Sequence, residues 1–460
     1  MLNNKILTPA VVAMAMFSAC SPTKNEETPN EKPIKLVVVE PGHFHAALVQ
    51  KSTYEEVDSV VHVYASDGPE LNAYLSTIER YNTREDDPTN WNLQIYKGSD
   101  FIEKAIAEKA GNVVVLAGNN RKKTDFIKRS VDAGLHVLAD KPMAINSEGF
   151  ELLKEAFASA EKNNVLLYDI MTERYEITNA LQRDLAQSEA IFGTLQKGTP
   201  DDPAIVKESV HHFYKMVSGQ PLVRPQWFYD VEQQGEGIVD VTTHLVDMIQ
   251  WAAFPETVID YEKDVELGEM KRFATKLTLD QFTASTKAES FPDYLAKDVK
   301  DGVLHVYANG EINYKLKDVY ARAIVLWNYQ APEGTGDTHY SIMKGSKANL
   351  VIRQGKEQNF KPVLYIEPVN PDASYEAELT EAFKAAQDKY PGIELKKIAK
   401  GWEVVIPQKY DVGHEAHFAQ VAQKYMAFLK DGKLPDWEVP NMITKYYITT
   451  KALEKAKAGK

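Results

Sequence analysis

Three residues of this sequence could carry proton transfer, namely Lys141, Asp240 and His244. Asp240 and His244 are four residues apart on a helix predicted over residues 238–251, so they share one face. A carboxylate one turn from an imidazole can fix the tautomer of the ring and stabilise its protonated form. Lys141 precedes Pro142, which disfavours helical backbone at the lysine and holds the chain extended. The pattern predicts a general base beside a cation, with a buried structural His–Asp pair as the alternative.

A second candidate is the loop Glu40-Pro41-Gly42-His43-Phe44-His45, between the first predicted strand and the first predicted helix. A dinucleotide-binding loop has three glycines there, and only Gly42 stands at one of these positions. Backbone N–H groups at a helix start bind phosphate whatever the side chains are, so the position still predicts a dinucleotide. Asp67 follows Gly42 by about 25 residues, close to the spacing of a ribose-binding acid that prefers NAD to NADP. A solvated turn aspartate in Asp67-Gly68-Pro69 is the alternative.

The elements that must position these residues follow from the apolar pattern. Short β-branched runs alternate with amphipathic segments over the first third of the chain, which predicts a parallel, doubly wound sheet. The predicted strands are 34–39, 60–65, 93–96, 113–117, 136–139 and 165–168, and two of the helices are 124–133 and 147–161. Ligands of such sheets bind beyond the carboxyl ends of the strands.

After residue 168 the pattern changes to strand-like stretches over 304–307, 311–316, 323–327, 339–343 and 348–352. Turns of the hairpin type, such as Ala308-Asn309-Gly310, predict that these strands form a mostly antiparallel, open sheet. Two amphipathic helices, near 414–430 and 441–455, end the chain. The fold class predicted from the whole pattern is α/β, with a parallel sheet followed by a larger antiparallel one.

Composition limits the classes of function. The 460 residues carry a formal net charge of −13, which argues against a nucleic-acid partner because phosphate contacts require a basic face.

The N-terminal apolar run ends in Ser18-Ala19-Cys20, and Cys20 is the only cysteine of the sequence. This resembles a bacterial lipoprotein signal over residues 1–20, with lipidation at Cys20 and a polar tether over 21–32. We expect a periplasmic or cell-surface protein that meets the membrane only through its lipid; an ordinary signal peptide or a buried helix is the alternative.

No metal site is expected. His211 and His212 are adjacent on a predicted strand, so their side chains point to opposite sides and do not readily ligate one ion. His414 and His417 open a late helix one turn apart, and they could either reach the functional site or cap the helix.

Asp140-Lys141-Pro142 after the fifth strand and the Asp240-x-x-x-His244 stretch resemble motifs of the glucose–fructose oxidoreductase and inositol dehydrogenase (Gfo/Idh/MocA) family, over residues 34–455. The resemblance implies a Rossmann dinucleotide-binding domain (33–170), an α/β domain for substrate binding and dimerisation (171–440) and a C-terminal helix (441–460). It also implies a homo-oligomer formed through the second sheet. Pro41-Gly42-His43-Phe44-His45 and Met171-Thr172-Glu173-Arg174-Tyr175 resemble a lipoprotein branch from glycan-degrading Bacteroides-type bacteria.

The resemblance assigns catalytic roles to Lys141, Asp240 and His244. The charge of Asp67 would favour NAD over NADP, and free NAD is scarce outside the cytoplasm, so we expect a tightly bound NAD. The residues expected to bind the cofactor are Gly42, His43, Phe44, His45, Asp67, Asn119, Asn120, Asp140, Lys141 and Pro142. Imidazole, phenol and indole groups suit carbohydrate. The residues expected to bind the substrate are Glu173, Arg174, His212, Tyr214, Trp227, Asp240 and His244, with a core position as the alternative for Trp227.

The expected activity is an NAD-dependent oxidation of a hydroxyl, at C3, of a sugar or glycoside in carbohydrate breakdown. In this hypothesis His244 takes the hydroxyl proton, Lys141 stabilises the oxygen and Asp240 orients the imidazole. One alternative is an NAD-dependent glycosidase that works by transient oxidation and elimination, with Tyr214 as an extra base. The other is a non-catalytic dinucleotide-binding surface module.

Overall fold

Two sheets that follow one another along the chain organise the fold. The computed structural model describes residues 33–217 and 220–459. The signal segment 1–20, the lipidation site Cys20 and the tether 21–32 lie outside the described residues, so they stay predictions. Within the described ranges, every helix is too short or too polar to cross a bilayer.

The first sheet consists of six short strands, and all of them except the edge strand 92–97 are mostly buried. They are β1 (Leu36–Val39), β2 (Val60–Ala65), β3 (Asn92–Lys97), β4 (Val113–Leu116), β5 (His136–Asp140) and β6 (Leu167–Ile170). They pair in parallel in the order β3-β2-β1-β4-β5-β6. Every residue of β1 and β4 is buried, as expected for strands that helices cover on both faces. The predicted doubly wound sheet is confirmed.

Five helices connect these strands. They are α1 (His45–Leu48), α2 (Pro69–Thr83), α3 (Phe101–Glu108), α4 (Lys123–Asp132) and α5 (Ser147–Lys162). The two helices predicted from the sequence correspond to α4 and α5 within one residue at each end. The side chain of Asn146 accepts a hydrogen bond from the Gly149 N–H and so caps the start of α5. Gly134 follows α4 with φ at +80°, a conformation that suits glycine at a helix end.

The second half contains twelve further strands. They are β7 (Ile205–Tyr214), β8 (Met216–Val217), β9 (Gln220–Pro221), β10 (Val265–Leu277), β11 (Val299–Lys300), β12 (Val303–Leu316), β13 (Val319–Gln330), β14 (Thr338–Lys344), β15 (Ala348–Arg353), β16 (Val363–Pro368), β17 (Glu394–Ile398) and β18 (Gly401–Val405). The main sheet has the order β10-β12-β13-β7-β14-β15-β16-β18-β17, and only β13 and β7 pair in parallel. The predicted mostly antiparallel sheet is confirmed.

The helices of this half pack beside the large sheet or return to the first one. They are α6 (Ile177–Ala186), α7 (Thr242–Ala253), α8 (Tyr261–Asp264), α9 (Leu279–Thr286), α10 (Ala373–Lys389), α11 (His414–Asp431) and α12 (Glu438–Lys457). Phe418 and Tyr425 of α11 belong to the core of the first sheet. Tyr446 of α12 belongs to that core, whereas Ile448 and Leu453 belong to the core of the second sheet. The last helix therefore joins the two cores.

The predicted hairpin turn at Ala308-Asn309-Gly310 is wrong, because β12 runs straight through these residues. The glycine is needed for packing rather than for a turn. A Cβ on Gly310 would lie 2.9 Å from Cβ of Ile238, and one on Gly237 would lie 1.7 Å from the carbonyl oxygen of Ala308. Two backbones pass so closely here that neither position accepts a side chain.

A buried cluster of charges crosses from α12 to the first sheet and to α7. The Lys445 ammonium lies 2.8 Å from a carboxylate oxygen of Asp169 in β6, and 2.8 Å from one of Asp247 in α7. Arg174 donates two hydrogen bonds of 2.7 Å to Asp247 and also pairs with Glu438. All five side chains are at least nine-tenths buried. Buried charges of this kind are tolerated only when each has a partner.

Replacing Lys445 by Met is expected to lower the free energy of unfolding by about 3–5 kcal/mol, because it leaves buried carboxylates without their shared cation. Lys451→Met on the same helix is the matched control. Lys451 pairs with Glu454 at the surface, and an exposed pair contributes about 1 kcal/mol or less. Denaturant unfolding followed by circular dichroism measures both variants, and equal losses would contradict a special role for the buried cluster.

Candidate functional site

A cleft of about 430 Å³ lies at the carboxyl ends of β1, β5 and β6 and faces the large sheet. The three residues predicted to be catalytic, Lys141, Asp240 and His244, all line it. The other polar side chains in its wall are His43, His45, Glu173, His211, Lys215, Arg224, Gln234, Asp337, His339, His414 and Glu415. The cleft is thus rich in imidazoles and carboxylates, and residues from both halves of the chain build it.

Lys141 follows β5 and forms an ion pair with Asp240. Its Nζ donates to Oδ1 of Asp240 at 2.6 Å, and the two side chains are only 11% and 6% exposed. The other carboxylate oxygen accepts a hydrogen bond of 3.1 Å from Nε2 of Gln234. Burial alone would raise the pKa of Asp240, but the charge of Lys141 and these two hydrogen bonds outweigh burial and lower the pKa. The pair is therefore charged, and it holds the ammonium of Lys141 in place.

His244 differs from Lys141 and Asp240 because its Nδ1 has no hydrogen-bonding partner among the described residues. This nitrogen is buried. Burial, followed by the positive charge of Lys141, lowers the pKa of His244 to about 3. The imidazole is therefore neutral at physiological pH, which leaves a ring nitrogen able to accept a proton.

The predicted role of Asp240 as the residue that orients His244 is wrong. The helix α7 begins at Thr242 rather than at residue 238. Residues 237–241 form turns, in which the N–H of Asp240 donates to the carbonyl of Glu236. Asp240 and His244 therefore do not share one helical face, and the carboxylate bonds to Lys141 and Gln234 instead.

Glu173, after β6, stands opposite a group of histidines. His414 Nε2 lies 3.7 Å from its Oε1. Burial would raise the pKa of Glu173, but His339, His414 and His244 outweigh it and lower the pKa to about 2. Glu173 was predicted to contact the substrate, and the structure does place it in the cleft wall. His414, for which the sequence left two possibilities open, reaches the cleft.

Asp337, just before β14, is a carboxylate that sequence reasoning missed. Its Oδ2 lies 3.1 Å from Nδ1 of His211, and its Oδ1 lies 3.2 Å from Nδ1 of His212. These adjacent histidines thus share one carboxylate, which presents one oxygen to each ring. His211, Lys215 and their histidine neighbours hold the pKa of Asp337 far below its ordinary value despite burial. His211 lines the cleft, whereas His212 lies behind it.

The loop after β1 brings two histidines to the end of β5. Nδ1 of His45 lies 2.9 Å from Oδ2 of Asp140, and Nδ1 of His43 lies 3.9 Å from the same oxygen. Burial lowers the pKa of both imidazoles well below the ordinary value. Lys123, which sequence reasoning did not single out, donates to the backbone carbonyl of Asp140 at 3.1 Å. Burial lowers the pKa of Lys123 to about 8.

A groove of about 530 Å³ adjoins the cleft and fits the predicted dinucleotide in place and size. It runs along residues 41–44 and the start of α2 and is covered by residues 222–228. His43, Phe44 and Arg224 line both spaces. A dinucleotide bound in this groove would be held by residues 41–44 and 222–228, at the carboxyl ends of the strands.

The predicted phosphate contact through backbone amides is not supported by the geometry. The N–H groups of Gly42 and His43 donate to the carbonyls of Glu40 and Ala117, and that of His45 approaches Nδ1 of His43. The helix α1 has only four residues. The amides of Gly42 and His43 are therefore not free to bind a phosphate in this conformation.

Asp67, predicted to bind the ribose, lies outside the groove lining. Its carboxylate is 69% exposed and pairs with Lys97 at 2.9 Å. Glu70, at the start of α2, is the carboxylate that lines the groove instead. The alternative interpretation of Asp67, a solvated aspartate in a turn, agrees with these surroundings.

Several other predicted contacts lie away from the cleft. Arg174 is held by Asp247 and Glu438 in the buried cluster, because a guanidinium without countercharges could not be buried there. Tyr214 stacks on Tyr329 outside the cleft wall, with ring centroids 5.9 Å apart. Trp227 lines the groove rather than the cleft, and its indole would lie 3.6 Å from a Cβ on Gly42.

Asn119 and Asn120 are not among the residues that line the groove, and they join the two halves of the chain. The side-chain amide of Asn119 donates to Gln233 at 2.8 Å, and that of Asn120 donates to the carbonyl of Gln234 at 2.7 Å. Gln234 in turn contacts Asp240. These asparagines therefore act on the site through the segment that carries Gln234.

Both halves of the chain match models of known protein families. Residues 40–169 match the family model "Oxidoreductase family, NAD-binding Rossmann fold" of the Gfo/Idh/MocA type. Residues 181–457 match "Putative oxidoreductase C terminal domain". A search of proteins with curated functions finds no match.

Solved structures agree with these family matches. A crystal structure described as a putative oxidoreductase from Parabacteroides merdae is 55% identical, covers 93% of this chain and 98% of its own, and has a TM-score of 0.92. Levoglucosan dehydrogenase in complex with NADH and levoglucosan is 13% identical, with coverages of 93% and 98% and a TM-score of 0.57. Biliverdin reductase from Synechocystis, in complex with biliverdin and NADP⁺, is 10% identical, with coverages of 92% and 99% and a TM-score of 0.54.

The last two likenesses show the fold alone. The chain belongs to the Gfo/Idh/MocA oxidoreductase family, with an NAD-binding Rossmann fold followed by the oxidoreductase C-terminal domain.

Proposed function

We propose that this protein is an NAD-dependent dehydrogenase that oxidises a hydroxyl, at C3, of a sugar or glycoside. The observation that carries the proposal is a neutral, unpartnered imidazole, His244, in the same cleft as the charged Lys141–Asp240 pair. Oxidation of an alcohol requires an acceptor for the hydroxyl proton and a positive group near the oxygen. The cleft supplies one of each, beside a groove that fits a dinucleotide.

When bound, the nicotinamide accepts the hydride that leaves the substrate carbon with its electron pair. His244 takes the proton of the same hydroxyl, so that the alcohol becomes a ketone. Lys141 stabilises the negative charge that develops on the oxygen, and Asp240 positions the ammonium for that task. The pKa of about 3 keeps His244 unprotonated and ready to accept before each turnover.

The shape of the site favours a glycoside over a free monosaccharide. A second cavity of about 380 Å³ shares Glu173, His339 and His414 with the cleft, so these side chains lie between the two spaces. Lys361 and Tyr410 line the second cavity. Trp327 and His211 line the cleft and stack on each other, with centroids 5.1 Å apart. The oxidised sugar would occupy the cleft and its attached group the second cavity.

The elimination route of an NAD-dependent glycosidase has less support. It requires an additional base close to the oxidised carbon, and Tyr214, the candidate from the sequence, does not line the cleft.

The proposal also includes the lipid anchor at Cys20 and a periplasmic or surface location. Free dinucleotide is scarce there, so the protein would have to retain its cofactor between turnovers.

Incubation of the protein with NAD and a panel of glycosides is expected to produce NADH, with higher kcat/KM for glycosides than for the free sugars. Lys141→Ala and His244→Ala are each expected to lower kcat by about 10²–10⁴-fold, the usual contribution of a positioned acid or base. His62→Ala on β2, which does not line the cleft, is the control. Near wild-type kcat in both variants would disprove the assignment, and glycoside hydrolysis without net NADH would favour the glycosidase.

The neutral state of His244 can be tested without a substrate. Its pKa in the folded protein, about 3, lies below that of an unfolded histidine at about 6.5. The unfolded chain therefore binds the extra proton, and folding is weakened as the pH falls below about 6.5. Between pH 7 and pH 5 the wild type is expected to lose roughly 2 kcal/mol more unfolding free energy than His244→Gln. Parallel losses in urea titrations at both pH values would contradict a neutral, buried His244.

The purified protein is expected to carry about one NAD(H) per chain. Residues 222–228 cover the groove, and Trp227 packs against Gly42 at its floor. Mass spectrometry of the ligand released by denaturation, with NAD and NADP standards, measures both amount and identity. An empty protein that reaches full activity only with millimolar added NAD would contradict cofactor retention, while leaving the dehydrogenase assignment standing.

A further inference from the structure

Two imidazoles and a carboxylate meet on the wall of the cleft without any role in the mechanism above. His43 and His45 follow β1, and Asp140 ends β5; the loops at both strand ends open toward the same edge of the sheet. One ligand atom from each of the three residues lies within 4.8 Å of the others. His45 and Asp140 are buried, and His43 is largely so. The side chains are thus already gathered around one point.

We propose that His43, His45 and Asp140 bind a divalent transition-metal ion of the Zn²⁺, Fe²⁺ or Mn²⁺ class. Two imidazoles and one carboxylate form a ligand set that such ions accept, and three protein ligands leave further positions open. Nδ1 of His45 and Nδ1 of His43 lie 2.9 Å and 3.9 Å from the same oxygen of Asp140. Ligands around a tetrahedral ion are separated by a little over 3 Å at the metal–ligand distances of zinc, so small side-chain movements suffice.

The charges around the cluster permit a cation. Neutral imidazole is the form that binds metal. The ammonium of Lys141 is compensated by Asp240 at 2.6 Å. Lys123 donates to the backbone carbonyl of Asp140 and not to its carboxylate.

The location gives such an ion access to ligands from outside. His43 lines both the cleft and the groove, and His45 lines the cleft. The open coordination positions would therefore face the space that holds the reacting molecules. This site is separate from the Lys141–His244 chemistry and does not depend on the proposed function.

The test is metal binding by the full chain, purified without a histidine tag and stripped with a chelator. Titration with ZnCl₂ followed by calorimetry, together with elemental analysis after dialysis, is expected to give one ion per chain. Co²⁺ in its place is expected to give a visible absorption band of nitrogen and oxygen coordination. Absence of stoichiometric binding of Zn²⁺ and Co²⁺ would overturn the proposal, whatever the dehydrogenase assay shows.

Variants of the proposed ligands test which side chains bind the ion. His45→Ala and Asp140→Asn are expected to weaken Zn²⁺ binding at least ~100-fold, more than the loss of an outer-shell partner does. The control His211→Ala removes an imidazole from the Asp337 cluster in the same cleft, and it is expected to leave the affinity unchanged. Loss of binding in His211→Ala with retention in His45→Ala would place the ion at Asp337 and overturn the assignment. Thermal unfolding in chelator shows that each variant is folded, and if His45→Ala is not, the milder His43→Gln and His45→Gln replace it.

Discussion

The ammonium of Lys445 connects the elements on which the site depends. It binds Asp169 in β6 and Asp247 in the middle of α7, at 2.8 Å each. A buried charge cannot move away from its partners without exposing them to an apolar interior, which costs several kcal/mol per ion. The register of α7 against the first sheet is therefore fixed. Asp240 directly precedes α7, His244 lies in its first turn and Lys141 follows the neighbouring strand β5, so the relative positions of these three residues depend on this constraint.

Burial acts on the groups of the cleft in two opposite ways, depending on whether a partner is present. Asp240 is buried but meets Lys141, so it stays charged and serves as a fixed negative anchor. Nδ1 of His244 is also buried but has no hydrogen-bonding partner among the described residues, so its imidazole stays neutral. One environment thus supplies a charged pair and a neutral imidazole, the two groups on which the proposed mechanism rests. A second acid beside His244 would raise its pKa and remove this difference.

Much of the fold could be predicted from the sequence, because the strands of the first sheet are buried on both faces and read as apolar runs. The strand β7 was harder, since it contains Lys207, which is buried against Gln182 and Ser341. Asn309-Gly310 has the local preference of a turn, but close packing against Ile238 overrides it. Spacing along one segment can show which residues share a helix. It cannot show that a carboxylate before α7 meets a lysine after β5.

In the loop after β1, a non-glycine residue has a backbone conformation that glycine usually supplies. This residue is Glu40, which takes a positive φ of 47°. The space is provided instead by Gly118, where any Cβ would lie 2.2 Å from the carbonyl oxygen of Glu40. The amides of Gly42 and His43 are occupied by this packing. The strand end therefore presents the imidazoles of His43 and His45, and imidazoles, unlike amides, can accept protons or metal ions.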